Sequence, residues 1–419
     1  MSAAPGTRAD AAEELLAAVD LGSTKVEVLI GLARDGVVTA VGSGSAPSHG
    51  ITKGAVVNIE ATVEAIGKAM EAAAAQAGGR PAVAYATISG NHIHNVSSQA
   101  TVAVANRDHG ITEEDFRRVI EQAQNISLPS DHQILHAIVQ EFSVDNQDGI
   151  QNPVGMYGGK LEARVRIVTG AITCVQNVVR SLERAGLQCG GVILQALAAE
   201  RAVLTHEERE LGAVCLDLGG GTTDLAVVSG KALRHTAVIT MGGHQISKDI
   251  AFGLRVPFAA AEELKRSAGC CVQTNVRDEE VATIPAAAGR AARTVPVKML
   301  ARIIEPRIEE ILDLVKEQLR SAGIAEESLG GGVVLTGGSA RLPLLVEKAE
   351  QVFEQLSARI GEGAAPEGGG VAGALAGPEH AAAAGLLLLA AEQRRQHGPA
   401  RPAGVGGAMK WLRGLFKES

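Results

Sequence analysis

The sequence predicts an α/β protein built of two related lobes. Three observations carry this reading. The stretch Ala18-Val19-Asp20-Leu21-Gly22-Ser23-Thr24-Lys25 is echoed far downstream by Cys215-Leu216-Asp217-Leu218-Gly219-Gly220-Gly221-Thr222-Thr223-Asp224. Each is an apolar strand that ends in Asp, turns through glycine and hydroxyl residues, and starts a second strand. Glycine lets backbone N–H groups approach an anion because no Cβ blocks them. An Asp at a strand end can hold the water shell of Mg²⁺ without touching the metal. The third observation is a late apolar run that enters another glycine turn, Thr336-Gly337-Gly338-Ser339.

The elements follow in order. Residues 1–14 are small and polar and read as a flexible N-terminus. Alternation over 15–41 suits a strand meander, with Asp35-Gly36 as a turn. Ile59, Val63, Ile66 and Met70 fall on one face of a helix over 58–77, and a strand follows at 83–88. Residues 89–165 contain no glycine-hydroxyl turn. There, Thr112-Glu113-Glu114-Asp115 opens a helix with a capping box, and strands follow at 133–144 and 161–168. This stretch reads as a compact inserted α+β unit.

Helices are expected at 175–185 and 194–204, and the second hairpin opens at Val214. After the segment 246–254 comes a helix containing Ala260-Ala261-Glu262-Glu263-Leu264-Lys265. Irregular strands and turns fill 267–297, and a long amphipathic helix covers 297–321. The longest apolar run, 381–391, falls short of the roughly 20 residues that span a bilayer and reads as a buried helix. Residues 397–408 have the Pro, Gly and Ala content of a linker.

Composition excludes several classes. Hydrophobic residues make up 46% and charged residues 21% of 419, enough for a sizeable core. A formal charge of −8 and only 2% aromatic residues argue against nucleic acid as a partner. The 5 cysteines include no C-x₂-C pair, so buried free thiols in a reducing compartment are expected. No basic stretch followed by an apolar core marks a signal peptide. The phosphate-binding G-x-x-x-x-G-K-[ST] loop is absent from the sequence.

With the three glycine turns in this order, the chain resembles the actin, Hsp70 and sugar-kinase ATPase superfamily. The resemblance implies an actin-like two-lobed ATPase fold that holds ATP and Mg²⁺ in its central cleft. Gly22, Ser23, Thr24 and Lys25 would face the phosphates from one side, and Gly219, Gly220, Gly221, Thr222 and Thr223 from the other. Asp20 and Asp217 would order the Mg²⁺ waters, while Gly337, Gly338 and Ser339 pack against the adenosine. Glu262 and Lys265 would reach the ribose and base; the alternative for them is a solvated helix face. Gln195 is near the place of actin's hydrolytic glutamine, although its spacing to Asp217 differs and a plain helix start explains it equally well. Tight binding with slow hydrolysis at most is the expectation.

The end of the chain carries a different chemistry. Wound at about 100° per residue, Met409, Trp411, Leu412, Leu415 and Phe416 fill one arc, and Lys410, Arg413 and Lys417 the opposite one. Such segregation behind a linker describes an in-plane membrane helix, with docking onto the protein itself or onto a partner as the rival.

Further features narrow the resemblance to the bacterial cell-division FtsA family over about residues 15 to 419. They are the inserted unit, Glu207-Glu208-Arg209-Glu210-Leu211-Gly212 leading into the second hairpin, Leu233-Arg234-His235-Thr236, and Asp249-Ile250-Ala251. Ile304-Glu305-Pro306-Arg307, Pro378-Glu379-His380 and the basic tail complete the set. The implied organisation is a flexible start (1–14), lobe 1 (subdomain 1A, 15–88 and 166–200) and the inserted FtsA-type subdomain 1C (89–165). Lobe 2 follows as subdomain 2A (201–243 and 306–377) around subdomain 2B (244–305). A closing helix (378–396), a linker (397–408) and an amphipathic membrane-targeting helix (409–419) end the chain.

The resemblance implies a peripheral adaptor at the division site, on the cytoplasmic face of the membrane. It would hold anionic inner-membrane lipids through the tail, bind the FtsZ C-terminal peptide, self-associate into actin-like filaments and recruit later division proteins. Arg290, Arg293, Lys298 and Arg302 are candidate contacts for the acidic FtsZ peptide, with ordinary surface charge as the alternative. The rivals are a pilus-assembly protein of the PilM type and a carbohydrate or acid kinase; no motif dedicated to a kinase substrate is found in the sequence.

Overall fold

In a computed structural model of the chain, residues 14–34, 37–105, 108–284, 291–362 and 377–397 are described. Lobe 1 opens with β1 (Glu14–Leu21), β2 (Lys25–Arg34) and β3 (Val37–Pro47), then a small hairpin of β4 (Ile51–Thr52) and β5 (Ala55–Val56). Helix α1 (Ile59–Ala77) and β6 (Val83–Ile88) follow. Asn58 caps α1 by accepting the Ala61 N–H, and Gly78 ends it with a left-handed φ of 69°.

The face that α1 buries is Thr62, Ala65, Ile66, Ala69, Met70 and Ala73, while Ile59 and Val63 are only half-buried. The expected stripe of large side chains is therefore rotated toward small ones. A Cβ added to Gly42 or Gly44 of β3 would lie 2.2 or 2.1 Å from the carbonyl oxygens of Ala73 and Ala69. Helix and strand backbones touch, and only alanine and glycine permit that approach.

The inserted unit comprises β7 (His94–Ala103), α2 (Glu113–Gln124), β8 (His132–Val144), β9 (Gln147–Ile150) and β10 (Lys160–Ala171). Its strands run antiparallel in the order β7-β10-β8-β9. The Thr112 capping box forms: its hydroxyl accepts the Asp115 N–H and the Asp115 carboxylate accepts the Thr112 N–H. Strand β10 continues to Ala171, so a boundary at 165 falls inside it. The chain returns to lobe 1 through α3 (Ile172–Arg184), β11 (Gln188–Leu194), α4 (Gln195–Val203) and the short α5 (His206–Leu211).

Lobe 2 repeats the plan with β12 (Ala213–Leu218), β13 (Thr223–Ser229) and β14 (Ala232–Ile239). Then come α6 (Gly243–Leu254), α7 (Phe258–Ala268), the hairpin β15 (Val281–Ile284) and β16 (Arg293–Pro296), and α8 (Val297–Ser321). Next are β17 (Gly332–Thr336), α9 (Leu345–Phe353) and β18 (Ala358–Ile360), and α10 (Ala381–His397) closes back on lobe 1. The lobe 1 sheet reads β3-β2-β1-β6-β11 and the lobe 2 sheet β14-β13-β12-β17-β18. Both pair the first two hairpins antiparallel and the last two neighbours parallel. The repeat seen in two short motifs thus extends to whole sheets.

One aliphatic core fills lobe 1 and runs on into the lobe 2 sheet through Cys215, Ala226 and Val334, a second fills the rest of lobe 2, and the inserted unit has a third. The cysteines are free, and all but Cys174 are buried. Helix α10 is buried from Ala381 to Ala390, and a Cβ on Gly385 would meet the Ala198 carbonyl oxygen of α4 at 1.7 Å. Among the described residues no helix is long and apolar enough to cross a membrane. The N-terminal stretch up to residue 13, the Asp35-Gly36 turn, Arg290, linker residues 398–408 and the 409–419 tail lie outside the described residues.

A candidate nucleotide cleft between two repeated hairpins

The two glycine turns meet across a cleft of about 620 Å³, within the usual range for small-molecule sites. Asp20, Gly22, Ser23, Thr24 and Lys25 line it from lobe 1; Asp217, Gly219, Gly220, Gly221 and Thr222 line it from lobe 2. Gln195, Glu262, Lys265, Gly337, Gly338 and Ser339 complete the expected set. Thr223 is the exception. It is fully buried, and its hydroxyl donates to the Met241 carbonyl at 2.9 Å. Period-two alternation in β13 turns it away from the cleft.

The hairpins need their glycines to come this close. A Cβ on Gly220 would fall 2.1 Å from the Thr24 Oγ1, and one on Gly221 2.5 Å from the Ser23 Oγ. At Gly337 φ is 83°, and an added Cβ would strike the Asp217 Oδ1 at 2.2 Å. The glycine turn after β17 therefore packs directly onto the second Asp.

Strand register brings carboxylates together. Asp20 pairs with Glu27 across β1 and β2, and Asp217 pairs with Asp224 at the equivalent place across β12 and β13. All four are buried. Burial is the main cause that pushes Asp20 up to about 7, against a Thr87 hydroxyl that donates to its Oδ1 at 2.7 Å. Burial also raises Asp217, although the Gln195 Nε2 donates to its Oδ2 at 2.9 Å. Asp224 is likewise pushed up to about 7 by burial and then by the Asp217 charge, while accepting from the Ser89 and Thr222 hydroxyls. Burial dominates at all three positions, and the Lys25 cation opposes it at Asp20 and Asp217.

The end of the cleft formed by α6 and α7 is also built from buried charge. Lys265 is 6% exposed and donates to the Gly243 carbonyl at 3.0 Å and to Glu262 at 2.8 Å. Burial lowers its pKa. Glu262 also accepts from the Ser247 hydroxyl. Lys265 is thus buried and Glu262 half-buried. Ser339 donates to the Gly219 carbonyl, at 3.3 Å.

Several cleft residues escaped the sequence reading. His244 at the start of α6 bonds the Thr24 hydroxyl through Nε2 at 3.0 Å, closing the two lobes over the turn. Lys25 pairs with Glu27 at 2.9 Å, Glu27 with His380 at 2.6 Å, and Glu379 with Arg341. The glycine pair Gly242-Gly243 before His244 and the Pro378-Glu379-His380 run are local signals for His244 and His380. Their partners, however, lie hundreds of positions away.

Two repeated sheets around a glycine- and carboxylate-lined cleft define the actin-like class of fold. Solved structures agree. A chain of the PilM-PilN type IV pilus biogenesis complex matches with a TM-score of 0.62 at 17% identity, covering 91% of this chain and 99% of that one. MreB5 of Spiroplasma citri bound to ADP matches with a TM-score of 0.52 at 13% identity, over 89% and 94%.

Sequence comparison is more specific. The family model "Cell division protein FtsA" matches residues 214–385, and "SHS2 domain inserted in FTSA" matches 90–169. The cell division protein FtsA of Neisseria meningitidis is 41% identical over 379 residues, 90% of each chain. That of Pseudomonas aeruginosa is 40% identical over 349 residues, 83% of each. The chain belongs to the FtsA family of cell-division proteins. The pilus protein shares its fold only.

Proposed function

We propose that the chain binds ATP with Mg²⁺ in this cleft and acts as an adaptor that tethers FtsZ filaments to the cytoplasmic face of the cell membrane at the division site. The observation that carries the nucleotide part is the pair of equivalent carboxylates, Asp20 and Asp217, buried on either side of two facing glycine turns. Among the described residues no three His, Cys, Asp or Glu side chains converge to cage a metal. Mg²⁺ suits such a site because it keeps waters and takes the rest of its shell from phosphate. Asp20 and Asp217 would hold those waters, and the bound ion would offset the phosphate charge. Lys25 and the turn amides would meet the phosphates, and Glu262 and Lys265 the ribose and base.

Gln195 supports slow turnover. One of its amide N–H groups is given to Asp217, and its Oε1 would accept from a water placed beside the phosphates. An amide oxygen can orient that water but cannot take its proton, so positioning is supplied without a strong base.

The adaptor part rests on the family and on the segregated faces of the 409–419 tail, which would lie on anionic inner-membrane lipids. The acidic FtsZ peptide would meet segment 244–305. There Arg293 donates to the Leu254 carbonyl and Lys298 pairs with Asp278 at 2.6 Å, while Arg302 is exposed. Self-association into actin-like filaments and recruitment of later division proteins belong to the same reading.

Calorimetry with Mg-ATP on the full chain tests the site. Asp217→Ala should weaken binding roughly 10- to 100-fold, the usual loss for an outer-sphere metal partner. Unchanged affinity would overturn the assignment.

A further inference from the structure

The inserted unit touches both lobes, and one of its contacts reaches the nucleotide cleft. On the lobe 2 side it caps the open edge of β14. Asn95 Nδ2 donates to the Thr236 carbonyl at 2.6 Å and its Oδ1 accepts the Thr236 hydroxyl at 2.8 Å. Arg166 donates to the Arg234 carbonyl at 3.0 Å, and Gln140 to the Leu233 carbonyl. These side chains satisfy the carbonyls that an edge strand otherwise leaves to water.

On the lobe 1 side the contact is His136 of β8, which is 1% exposed. Its Nε2 accepts the backbone N–H of Leu194 at 3.0 Å. Leu194 is the last residue of β11 and the N-cap of α4, and no side chain caps that helix start. The next residue is Gln195, whose side chain bonds Asp217. A neutral ring accepting at Nε2 carries its proton on Nδ1, and burial holds the pKa of His136 at about 3.

We propose that His136 is a positioning residue that joins the inserted unit to the nucleotide cleft: its bond to the Leu194 N–H sets the start of α4, and with it the reach of Gln195 to Asp217. The coupling runs in both directions, since a ligand that stabilises one arrangement of Gln195 favours the bonded state of His136. Partners that hold the inserted unit therefore change nucleotide turnover, and nucleotide changes how firmly that unit is held. The bond is between a neutral acceptor and an amide, so it does not act as a pH switch between about pH 5 and pH 8.

This inference rests on the cleft binding Mg-ATP, and the test separates the two claims. Backbone hydrogen exchange is followed for the full-length chain with and without Mg-ATP, alongside calorimetry. Three variants are compared: His136→Leu, His136→Asn and His136→Gln. Glutamine places an acceptor where Nε2 sits, asparagine is polar but too short to reach, and leucine has no acceptor.

The parent chain is expected to show Mg-ATP slowing exchange over 132–140 and at Leu194. The effect should shrink by about fivefold in the Leu and Asn variants, the factor one ordinary hydrogen bond carries. The Gln variant should restore it. Affinity for Mg-ATP should fall by the same factor of about five in the Leu and Asn variants, as reciprocal coupling requires, single-turnover hydrolysis should slow with it, and both should recover in Gln. If the Leu variant fails to fold, Asn against Gln still decides. A parent that binds no Mg-ATP sinks the cleft assignment. A parent that binds it, with equal nucleotide protection in all variants, sinks the role of His136 alone.

Discussion

Asp224 shows what the hairpins do with charge. It is fully buried between a Ser89 hydroxyl from lobe 1 and its own Thr222, yet it lies outside the residues that line the cleft. Its folded pKa is raised from 3.8 to about 7. The sign follows directly. Below the unfolded value both states keep the proton, and between there and about 7 only the folded state does. Stability from this group therefore falls as pH rises through that window, and the penalty is complete above it. Burial lowers His92, His136, His235 and His244, which work in the opposite direction at the acid end. The clean measurement is thus a difference between variants. Asp224→Asn should stabilise the nucleotide-free protein more at about pH 8 than at about pH 6, by an amount of order 1–3 kcal/mol. An equal shift at both values, read from denaturant midpoints, would contradict the raised pKa.

At the scale of elements, helix placement depends on small residues. Gly385 of α10 sits on the Ala198 carbonyl of α4, and Gly42 and Gly44 of β3 sit on α1. Adding one methyl to Gly385 forces two buried helices apart, so Gly385→Ala should cost about 3 kcal/mol or more. Gly67 in α1 is the control, because an added Cβ there meets nothing within 4 Å. Gly67→Ala should instead stabilise by about 0.5–1 kcal/mol, the helix-propensity gain alone. Chemical denaturation of both variants checks the contrast. Periodicity located α1 and an apolar run located α10, but of the expected face of α1 only Ile66 and Met70 are fully buried. A rule that counts large apolar residues cannot see a seam made of Ala69 and Ala73 against Gly42 and Gly44.

For the whole molecule, the adaptor reading places a weak anchor on a protein that assembles. Each basic residue in 409–419 adds roughly 1 kcal/mol near an anionic surface, and each large apolar side chain about 1.5–3 if fully buried. Ordering the segment costs roughly 1–2 kcal/mol per residue, which cancels much of the gain. Several tails presented together bind far better than one. Co-sedimentation with anionic vesicles in the presence of ATP should therefore retain the full chain. It should lose both a chain ending at Ala408 and the Trp411→Glu variant, with Mg-ATP affinity unchanged in each. Retention of Trp411→Glu would remove the tail as the anchor.

The sequence by itself determined the duplicated plan and most of the cleft. Strand, Asp and glycine turn are contiguous in each copy, so local spacing brings out most of the residues that line the cleft, Thr223 excepted. It also located the inserted unit and the Thr112 capping box, whose parts are neighbours along the chain. Only the tertiary structure decided the rest. It turned Thr223 inward, paired Asp20 with Glu27 and Asp217 with Asp224, closed Thr24 onto His244, and set His136 against the Leu194 N–H. Thr24 with His244 and His136 with Leu194 join residues far apart in the chain, and burial, not spacing, sets the protonation of the carboxylates. No local pattern encodes a contact whose second half is supplied by another lobe.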